Sequence, residues 1–395
     1  MSKIIYPLAS PSWDNKEYDA MQRVISSGLF SMGKEVKLFE EQFAVYFGKQ
    51  YAIMANSGSS ANLLMIAALF FKKDNPLKKG DEVIVPAVSW STTYMPLQQY
   101  GLKVKFVDID LETLNFDLTA LESAVTNNTK LILSVNLLGN PNDFNEINRI
   151  IGKKDIYLLE DNCESMGAEF DGKKAGAFGL MGSFSSFFSH HISTMEGGLV
   201  ITDDIELYHI MLSIRAHGWT RNLPENNLVS GIKSKNPFDE SFKFVLPGYN
   251  LRPLELSGAI GQEQLLKLDD FVSKRRKNAE VFQRVMSNIK GVIIQKEIGQ
   301  SSYFGFSIVL DDQLKSHKND LVDLLIQKGI ECRPIVGGNF VKNPVIKYFE
   351  YTIHGNLINA DKIDKNGFFV GNHHYDLEEQ ILYFGALLKE FISKV

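Results

Sequence analysis

Hydrophobic and polar positions follow two alternating patterns between residues 50 and 210. Short uninterrupted runs rich in valine, isoleucine and leucine predict strands buried on both faces, which is typical of a mostly parallel sheet covered by helices. Segments with apolar residues three or four positions apart lie between these runs and predict helices. The predicted strands are residues 82–85, 104–108, 131–135, 156–160 and 199–202, and the predicted helices include residues 60–71 and 144–151.

The pattern changes after Asn250. Long helical patterns cover residues 255–268 and 272–289, and a strand-like run (303–310), a helix (318–328) and a closing helix from Leu377 follow. A chain of 395 residues is too long for one ordinary core. We therefore expect a large domain of residues 1–255, including the N-terminal segment, and a smaller α/β domain of residues 256–395.

Two further segments of the chain carry distinctive polar patterns. The basic run Lys274-Arg275-Arg276-Lys277 lies within a predicted helix. Such a charge run usually marks the solvated face of a helix, and we expect that here. The polar loop of residues 222–235 is the segment in which we expect the most mobility.

Composition and charge narrow the class of protein. The 42 basic and 47 acidic residues leave a net charge of −5, so nucleic acid is not an expected partner. The two cysteines, Cys163 and Cys332, cannot supply a four-thiolate iron–sulfur site or a disulfide framework. The longest apolar run, residues 63–71, is too short to span a bilayer, and no signal peptide is visible, so we expect a cytoplasmic protein without a membrane partner.

Residues 56–62, Asn-Ser-Gly-Ser-Ser-Ala-Asn, open a predicted helix directly after a short strand. The free backbone N–H groups at a helix N-terminus, together with small hydroxyl residues, form a binding site for anions such as phosphate. The same residue types are also ordinary N-caps, so this pattern alone leaves both interpretations open.

Two other candidate residues follow predicted strands. Asp161 comes directly after the run 156–160, at the edge where open α/β sheets bind their ligands. A buried carboxylate needs a partner, which is either a cationic group of a ligand or the N-terminus of the next helix. Trp90 follows the run 82–85, where its flat indole suits either a flat ligand or the core.

The segment of residues 182–198 carries the most specific signal. It contains His190 and His191, followed by Glu196-Gly-Gly. It resembles the cofactor-lysine segment of the DegT/DnrJ/EryC1/StrS sugar-nucleotide aminotransferases. These are pyridoxal-phosphate enzymes of fold type I. In that family a lysine stands six residues before the acidic residue, and the matching position here is His190. An imidazole cannot form a Schiff base, but it transfers protons near neutral pH. His191 is the adjacent alternative, and the spacing favours His190.

The resemblance covers essentially the whole chain, including residues 87–93, 136–143, 215–224, 242–250 and 331–336. It implies an aspartate-aminotransferase-like fold, with a mostly parallel seven-stranded sheet in the large domain and a smaller C-terminal α/β domain. It also implies roles for residues that bind the cofactor. In these implied roles Gly58, Ser59 and Ser185 bind the phosphate, Asp161 pairs with the pyridine nitrogen, Trp90 stacks on the ring, and Glu164 contacts the cofactor hydroxyl or the substrate.

The resemblance implies further contacts outside the cofactor ring. Asn250, in the loop 248–253, is expected to reach the phosphate bound by a neighbouring subunit, so the active site is shared within a homodimer. We expect His217, Arg221 and Arg333 to bind substrate, although surface or structural roles are equally open for the two arginines. For Asn372-His373-His374 we expect a surface loop and no metal site.

Within the family, the sugar 3-dehydratases are the enzymes that replace the lysine. One kind uses an iron–sulfur cluster and a reductase, for which this chain lacks the cysteines. The resemblance to the other kind implies removal of the C3 hydroxyl from GDP-4-keto-6-deoxy-D-mannose, in biosynthesis of the O-antigen dideoxysugar colitose. It implies untethered pyridoxal or pyridoxamine phosphate, L-glutamate as amino donor, release of ammonia, and His190 as the sole acid and base.

Three alternatives stay open at this stage. A sugar-nucleotide 4-aminotransferase with a histidine base makes an amino sugar instead. A 3-dehydratase acting on a different nucleotide sugar keeps the chemistry and changes the substrate. A cofactor-binding regulator takes up the cofactor without reacting with glutamate.

Overall fold

The structure is a computed structural model that describes residues 3–395. Its strands are β1 (Tyr51–Ala55), β2 (Glu82–Pro86), β3 (Lys103–Val107), β4 (Thr129–Val135), β5 (Tyr157–Asp161), β6 (Glu169–Phe170), β7 (Lys173–Lys174), β8 (Met181–Ser185), β9 (Gly198–Thr202), β10 (Asn226–Asn227), β11 (Gly231–Ile232), β12 (Val292–Ile294), β13 (Gly305–Leu310), β14 (Cys332–Arg333), β15 (Tyr351–Ile353) and β16 (Gly367–Gly371). Its α-helices are α1 (Asn15–Ser27), α2 (Lys34–Tyr46), α3 (Gly58–Phe70), α4 (Ser91–Gln99), α5 (Leu118–Ala124), α6 (Phe144–Ile151), α7 (Ile205–Ile214), α8 (Pro237–Glu240), α9 (Glu255–Leu265), α10 (Leu268–Met286), α11 (Lys318–Gln327), α12 (Ile358–Asn366) and α13 (Glu378–Ile392).

The large sheet has the strand order β1-β9-β8-β5-β4-β2-β3-β15. The five pairings from β8 to β15 are parallel, and β9 pairs antiparallel with both β1 and β8. The prediction of an α/β fold with a mostly parallel large sheet is therefore confirmed. The sheet has eight strands, one more than the seven predicted. The additional strand is β15, which comes from the C-terminal part of the chain and pairs with β3 at one edge of the sheet. Its three exposed residues are too short a run to stand out in the sequence.

Alternate residues of the central strands face two helical layers, as the pleat of a strand requires. On one face, Val83, Val85 and Leu133 pack in the same core as α3 and α7. On the other face, Ile84 and Ile132 pack with α5 and α6. Because both faces are covered, the strands read as continuous apolar runs, which is the pattern that predicted them.

The second sheet is antiparallel, with the order β12-β13-β16-β14, and α10, α11 and α13 contribute to its core. Phe282 of α10 stacks on Phe306 of β13 with ring centroids 4.2 Å apart. Tyr6 belongs to the same core, and its hydroxyl donates to the carbonyl of Gly371. The division into domains of residues 1–255 and 256–395 stays a prediction.

The expectation for the basic run 274–277 is wrong for two of its four residues. Lys274 and Lys277 are exposed, but Arg275 is 4% exposed and Arg276 is half-buried. Helical periodicity explains the difference, because position 275 shares the buried face of α10 with Val272 and with residues 279 and 282.

The expectation of a surface loop at Asn372-His373-His374 is also wrong. His373 is 1% exposed, because the N-terminal segment covers it: its Nε2–H donates to the carbonyl of Pro7, and its Nδ1 accepts from the hydroxyl of Ser10. Residues 3–395 hold no group of three or more side chains that could bind a metal ion.

The loop 222–235 contains the small antiparallel pair β10-β11, and its mobility stays a prediction. Among the helices of the described residues, none has both the length and the apolar character needed to cross a bilayer.

Candidate active site

The start of α3 provides hydrogen-bond donors for an anion. Ser57 is the N-cap, and its Oγ accepts from the backbone N–H of Ser60 at 3.1 Å. The first backbone bond of the helix runs from Ala61 N to the Ser57 carbonyl, so the N–H groups of Gly58 and Ser59 precede the hydrogen-bond ladder. Ser59 is exposed, and its hydroxyl donates to Thr92 Oγ1 at 2.9 Å. The helix therefore opens with free backbone N–H groups beside hydroxyls.

Three segments converge at Gly58. A Cβ atom at this position would lie 2.7 Å from the Cβ of Ser185 and 2.9 Å from the Sγ of Cys163, which leaves no room for any side chain. Ser185 ends β8, and Cys163 lies in the turn after β5. The structure thus brings the predicted phosphate residues Gly58 and Ser185 into contact, and Ser59 follows directly in α3.

Asp161 is the last residue of β5 and is 5% exposed. Its Oδ2 accepts hydrogen bonds from Asn62 Nδ2 and Thr93 Oγ1, both at 2.8 Å, and its Oδ1 accepts from the N–H of Cys163 at 3.1 Å. Side chains on α3 and α4 thereby hold the carboxylate in one orientation. A buried carboxylate held in this way at the carboxyl end of a strand suits a cationic ring nitrogen.

The geometry of His190 defines its tautomer. Its Nδ1 lies 2.6 Å from the carbonyl oxygen of Cys163. A carbonyl can only accept, so Nδ1 carries the hydrogen and the lone pair of the neutral ring is on Nε2. The ring packs against that of Phe304, with centroids 5.1 Å apart. Burial lowers the pKa of His190 to about 4, so the ring is neutral near pH 7 and its Nε2 can accept a proton.

His191 points into the interior. It is 1% exposed, its Nε2–H donates to the carbonyl of Ser302 at 3.1 Å, and burial lowers its pKa. Its Nδ1 has no hydrogen-bond partner among the described residues. Because His191 is enclosed and His190 is only half-buried, His190 is the better placed of the two for chemistry on a bound molecule.

Glu164 lies in the turn that also carries Asp161 and Cys163. Its Oε2 accepts from the backbone N–H of Leu138 at 3.0 Å, and Leu138 has a left-handed backbone with φ 54°. Burial raises the pKa of Glu164 to about 7, with a smaller contribution from the charge of Asp161, while the hydrogen bond from Leu138 opposes the shift. The side chain can therefore donate or accept a hydrogen bond near neutral pH.

These residues fit pyridoxal phosphate. Gly58 and Ser59 open α3 with backbone N–H groups that precede the hydrogen-bond ladder and can donate to a phosphate. Asp161 presents a buried carboxylate for the protonated ring nitrogen. His190 offers no primary amine, so this residue cannot tether the cofactor.

Residues 11–381 match the sequence profile of the DegT/DnrJ/EryC1/StrS aminotransferase family. The chain belongs to this family.

Individual family members are similar to this chain over almost their full length. The chain is 63% identical over 393 residues to GDP-4-keto-6-deoxy-D-mannose 3-dehydratase from Yersinia pseudotuberculosis. The matched region covers 99% of this chain and 100% of that protein. A solved structure of GDP-4-keto-6-deoxymannose-3-dehydratase with a trapped PLP-glutamate geminal diamine has a TM-score of 0.96 at 63% identity. The superposition covers 97% of this chain and 100% of the chain in that structure. A structure of a variant of that enzyme with bound GDP-perosamine has the same TM-score, identity and coverage.

Sequence reasoning missed several residues that shape this family site. Asn62 and Thr93 fall inside the recognised segments 56–62 and 87–93, and both are buried. Asn62 was recognisable as a polar residue within the predicted helix 60–71, whereas Thr93 lies in no predicted element. The carbonyl of Cys163 carries no such signal, because every residue has one. Phe304 comes from the C-terminal part of the chain, and nothing in its local pattern connects it with His190.

The other residues predicted from the family resemblance lie nearer the surface. Trp90 immediately precedes α4 and is 59% exposed, so its indole face is open to a ligand. Asn250 is exposed, and its Oδ1 accepts from Arg252 Nε at 2.9 Å. The next carbonyl, that of Leu251, accepts from the N–H of Asn56 and brings this loop beside the start of α3.

The predicted substrate residues are spread over two parts of the fold. His217 has a left-handed backbone (φ 63°), and its ring packs on that of Trp219 with centroids 4.7 Å apart. Arg221 is exposed a few residues later. Arg333 is exposed on β14, opposite Phe369, whose ring lies 6.5 Å from that of Phe304. Substrate binding by these three residues stays a prediction.

Proposed function

We propose that this chain removes the C3 hydroxyl of GDP-4-keto-6-deoxy-D-mannose in a pyridoxal-phosphate-dependent reaction. L-glutamate is the amino donor and is oxidised to 2-oxoglutarate, and the other products are GDP-4-keto-3,6-dideoxy-D-mannose and ammonia. The observation that carries the proposal is His190, a neutral imidazole with a free Nε2 at the position of the family's lysine. The identity of 63% over nearly the whole length to an enzyme with this printed activity supports the substrate.

Several residues form the proposed cofactor site. When bound, the cofactor would carry the amino group of glutamate and would supply a conjugated ring through which electrons pass to the substrate as the C3 hydroxyl leaves. Gly58, Ser59 and Ser185 bind the phosphate through N–H and hydroxyl donors. Asp161 keeps the ring nitrogen protonated, and Trp90 covers one face of the ring.

His190 acts as both base and acid in the proposed reaction. Its Nε2 accepts a proton, because burial keeps the ring neutral at working pH. The bond from Nδ1–H to the carbonyl of Cys163 holds the ring in place and stabilises the imidazolium that forms. The imidazolium then donates the proton from Nε2 to the departing C3 hydroxyl, which leaves as water.

The remaining residues select and orient the substrates. Glu164 contacts the cofactor hydroxyl or the sugar, and its raised pKa lets it serve as a hydrogen-bond donor. His217, Arg221 and Arg333 bind the anionic groups, since guanidinium groups pair well with a diphosphate and with the carboxylates of glutamate.

We further propose that the active site is shared within a homodimer, with Asn250 reaching the phosphate of the neighbouring subunit. Large apolar side chains are exposed in the same region: Leu29, Phe30 and Leu254. The N–H of Glu255 donates to the carbonyl of Phe30, so these residues form one surface with the loop that carries Asn250. Exposed apolar clusters of this kind are typical of subunit interfaces.

The shared site can be tested by complementation. We expect Asn250→Ala and Asp161→Asn each to have low activity alone at a limiting concentration of pyridoxal phosphate, and a refolded mixture of the two to regain part of the activity. In a mixed dimer, one of the two sites has both residues intact. No recovery in a mixture that sedimentation shows to contain dimers would contradict a shared site.

The activity is tested by the mass of the product. The protein is incubated with GDP-4-keto-6-deoxy-D-mannose, pyridoxal phosphate and excess glutamate. Loss of the C3 oxygen together with free ammonia supports the dehydratase. Conversion of the ketone to an amine means a 4-aminotransferase, and no change directs the assay to the CDP and dTDP analogues.

A further inference from the structure

Arg275 is a buried cation without an acidic partner. It is 4% exposed, and its Nη1 donates to the carbonyls of Asn372 at 2.6 Å and Phe304 at 3.1 Å. Its Nε has no hydrogen-bond partner among the described residues, and no carboxylate within residues 3–395 forms an ion pair with it. An unpaired buried charge is costly, so its presence calls for an explanation.

Phe304 connects Arg275 to the proposed base. The carbonyl of Phe304 accepts from the guanidinium, while its ring packs against His190 at 5.1 Å and His191 at 6.0 Å between centroids. One residue therefore lies between a fixed positive charge and the two imidazoles. In a buried region the effective dielectric constant is lower than in water, so a charge separated from an imidazole by one residue influences the protonation of that imidazole.

We propose that Arg275 is a positioning residue whose permanent charge, placed next to His190 through Phe304, opposes protonation of the base and so extends its activity to lower pH. This inference rests on the proposed function, in which His190 is the base. It gives the unpaired guanidinium a role in the reaction beyond holding α10 against Phe304 and Asn372.

Among the groups around His190, some raise its pKa and others lower it. Asp161 and the carbonyl of Cys163 favour the protonated ring, whereas burial and Arg275 oppose it, and the pKa settles at about 4. His191 is neutral and faces Ser302. On α10 itself, Lys274 and Lys277 are exposed, and Arg276 donates to the carbonyls of Ser301 and Gly167.

An arginine suits this position better than a lysine. Burial lowers the pKa of Arg275 to about 10, which still leaves the group charged at neutral pH. A lysine loses its proton more readily when buried and would not be a dependable source of charge. The test therefore uses neutral replacements of Arg275, together with Arg276→Met as the matched control. Arg276 also ties α10 to backbone carbonyls but does not touch Phe304.

The direct test is an NMR titration of ¹³C-labelled histidine, with the His190 signal assigned by its loss in His190→Asn. We expect Arg275→Met to raise the pKa of His190 by about one pH unit and Arg276→Met to leave it unchanged. If Arg275→Met does not fold, Arg275→Gln removes the same charge while keeping amide N–H donors for the carbonyls. An unchanged His190 titration in the neutral variant, or an equal shift in Arg276→Met, would overturn the proposal.

Turnover supplies a second readout that separates this proposal from the function. With the dehydratase active, the acidic limb of the kcat profile should move to higher pH in Arg275→Met by the same amount as the titration. A structural role alone would lower kcat equally at all pH values. The product assay on the unchanged protein tests the proposed function. The titration tests the role of Arg275 independently of the result of that assay.

Discussion

The Nδ1–H of His190 donates to the carbonyl oxygen of Cys163 across 2.6 Å. Cys163 lies in the turn after β5, between Asp161 and Glu164. One short turn therefore presents the carboxylate for a ring nitrogen, the carbonyl that orients the base and a carboxyl group with a raised pKa. Changes in this turn are expected to affect cofactor binding and proton transfer together.

His190→Asn is expected to lower turnover by about 100- to 10,000-fold, the usual contribution of a general acid or base. An amide cannot accept the proton that the imidazole takes on Nε2. Cofactor binding should persist, because the phosphate and ring-nitrogen residues are unchanged. Ammonia release measures the reaction, and absorbance of the bound cofactor measures binding. Substantial turnover by this variant would exclude His190 as the base.

Asp161→Asn is expected to weaken cofactor binding by about tenfold or more, because a charge-assisted hydrogen bond to the ring nitrogen is lost. The shape of the side chain is nearly unchanged, so the effect reports the charge. Spectrophotometric titration with pyridoxal phosphate measures the affinity. Ser60→Ala serves as the control, since its hydroxyl bonds to Asn56 and Ser57 and not to Asp161. Equal affinities for the two variants would contradict the role of Asp161.

Arg215→Met is expected to lower the free energy of unfolding by about 3–5 kcal/mol, as when one partner of a buried ion pair is removed. Arg215 pairs with Glu40, and both side chains are buried. Glu40 also accepts from the N–H of Met54 at 2.7 Å, so it cannot turn to solvent without breaking that bond. Urea unfolding measures the change. The pair of exposed Arg23 with half-buried Glu263 is the control, and Arg23→Met should cost less than about 1 kcal/mol.

Glu164→Gln is expected to change the pH dependence of stability. The folded protein raises the pKa of Glu164 to about 7, while the unfolded chain releases the proton near its usual value of about 4.3. Between these values the folded state binds more protons, so the Glu164 contribution to stability falls as pH rises and is constant above about 7. The glutamine variant lacks this titration. Its free energy of unfolding is measured in urea from about pH 5 to about pH 8. Relative to that of the unchanged protein, it should therefore increase as pH rises. Parallel curves would contradict the raised pKa.

Local patterns in the sequence were sufficient for much of the fold and for part of the site. The central strands are buried on both faces, so each appears as a continuous apolar run. Asp161 was recognisable because it directly follows such a run, and His190 because its spacing to Glu196 and to Ser185 is a local property of one segment. Gly58 likewise lies at a strand-to-helix turn that short-range rules identify.

Tertiary structure decided the remaining features, because they depend on which distant segment covers a residue. Arg275 is buried through its contacts with Phe304 and Asn372, and His373 through its contacts with Pro7 and Ser10. Neighbouring residues do not reveal such contacts. The sequence by itself therefore determined the sheet, the strand-end carboxylate and the histidine in place of a lysine. Only the folded chain decided the tautomer of His190 and the placement of the Arg275 charge near it, since both arise from groups brought together across the chain.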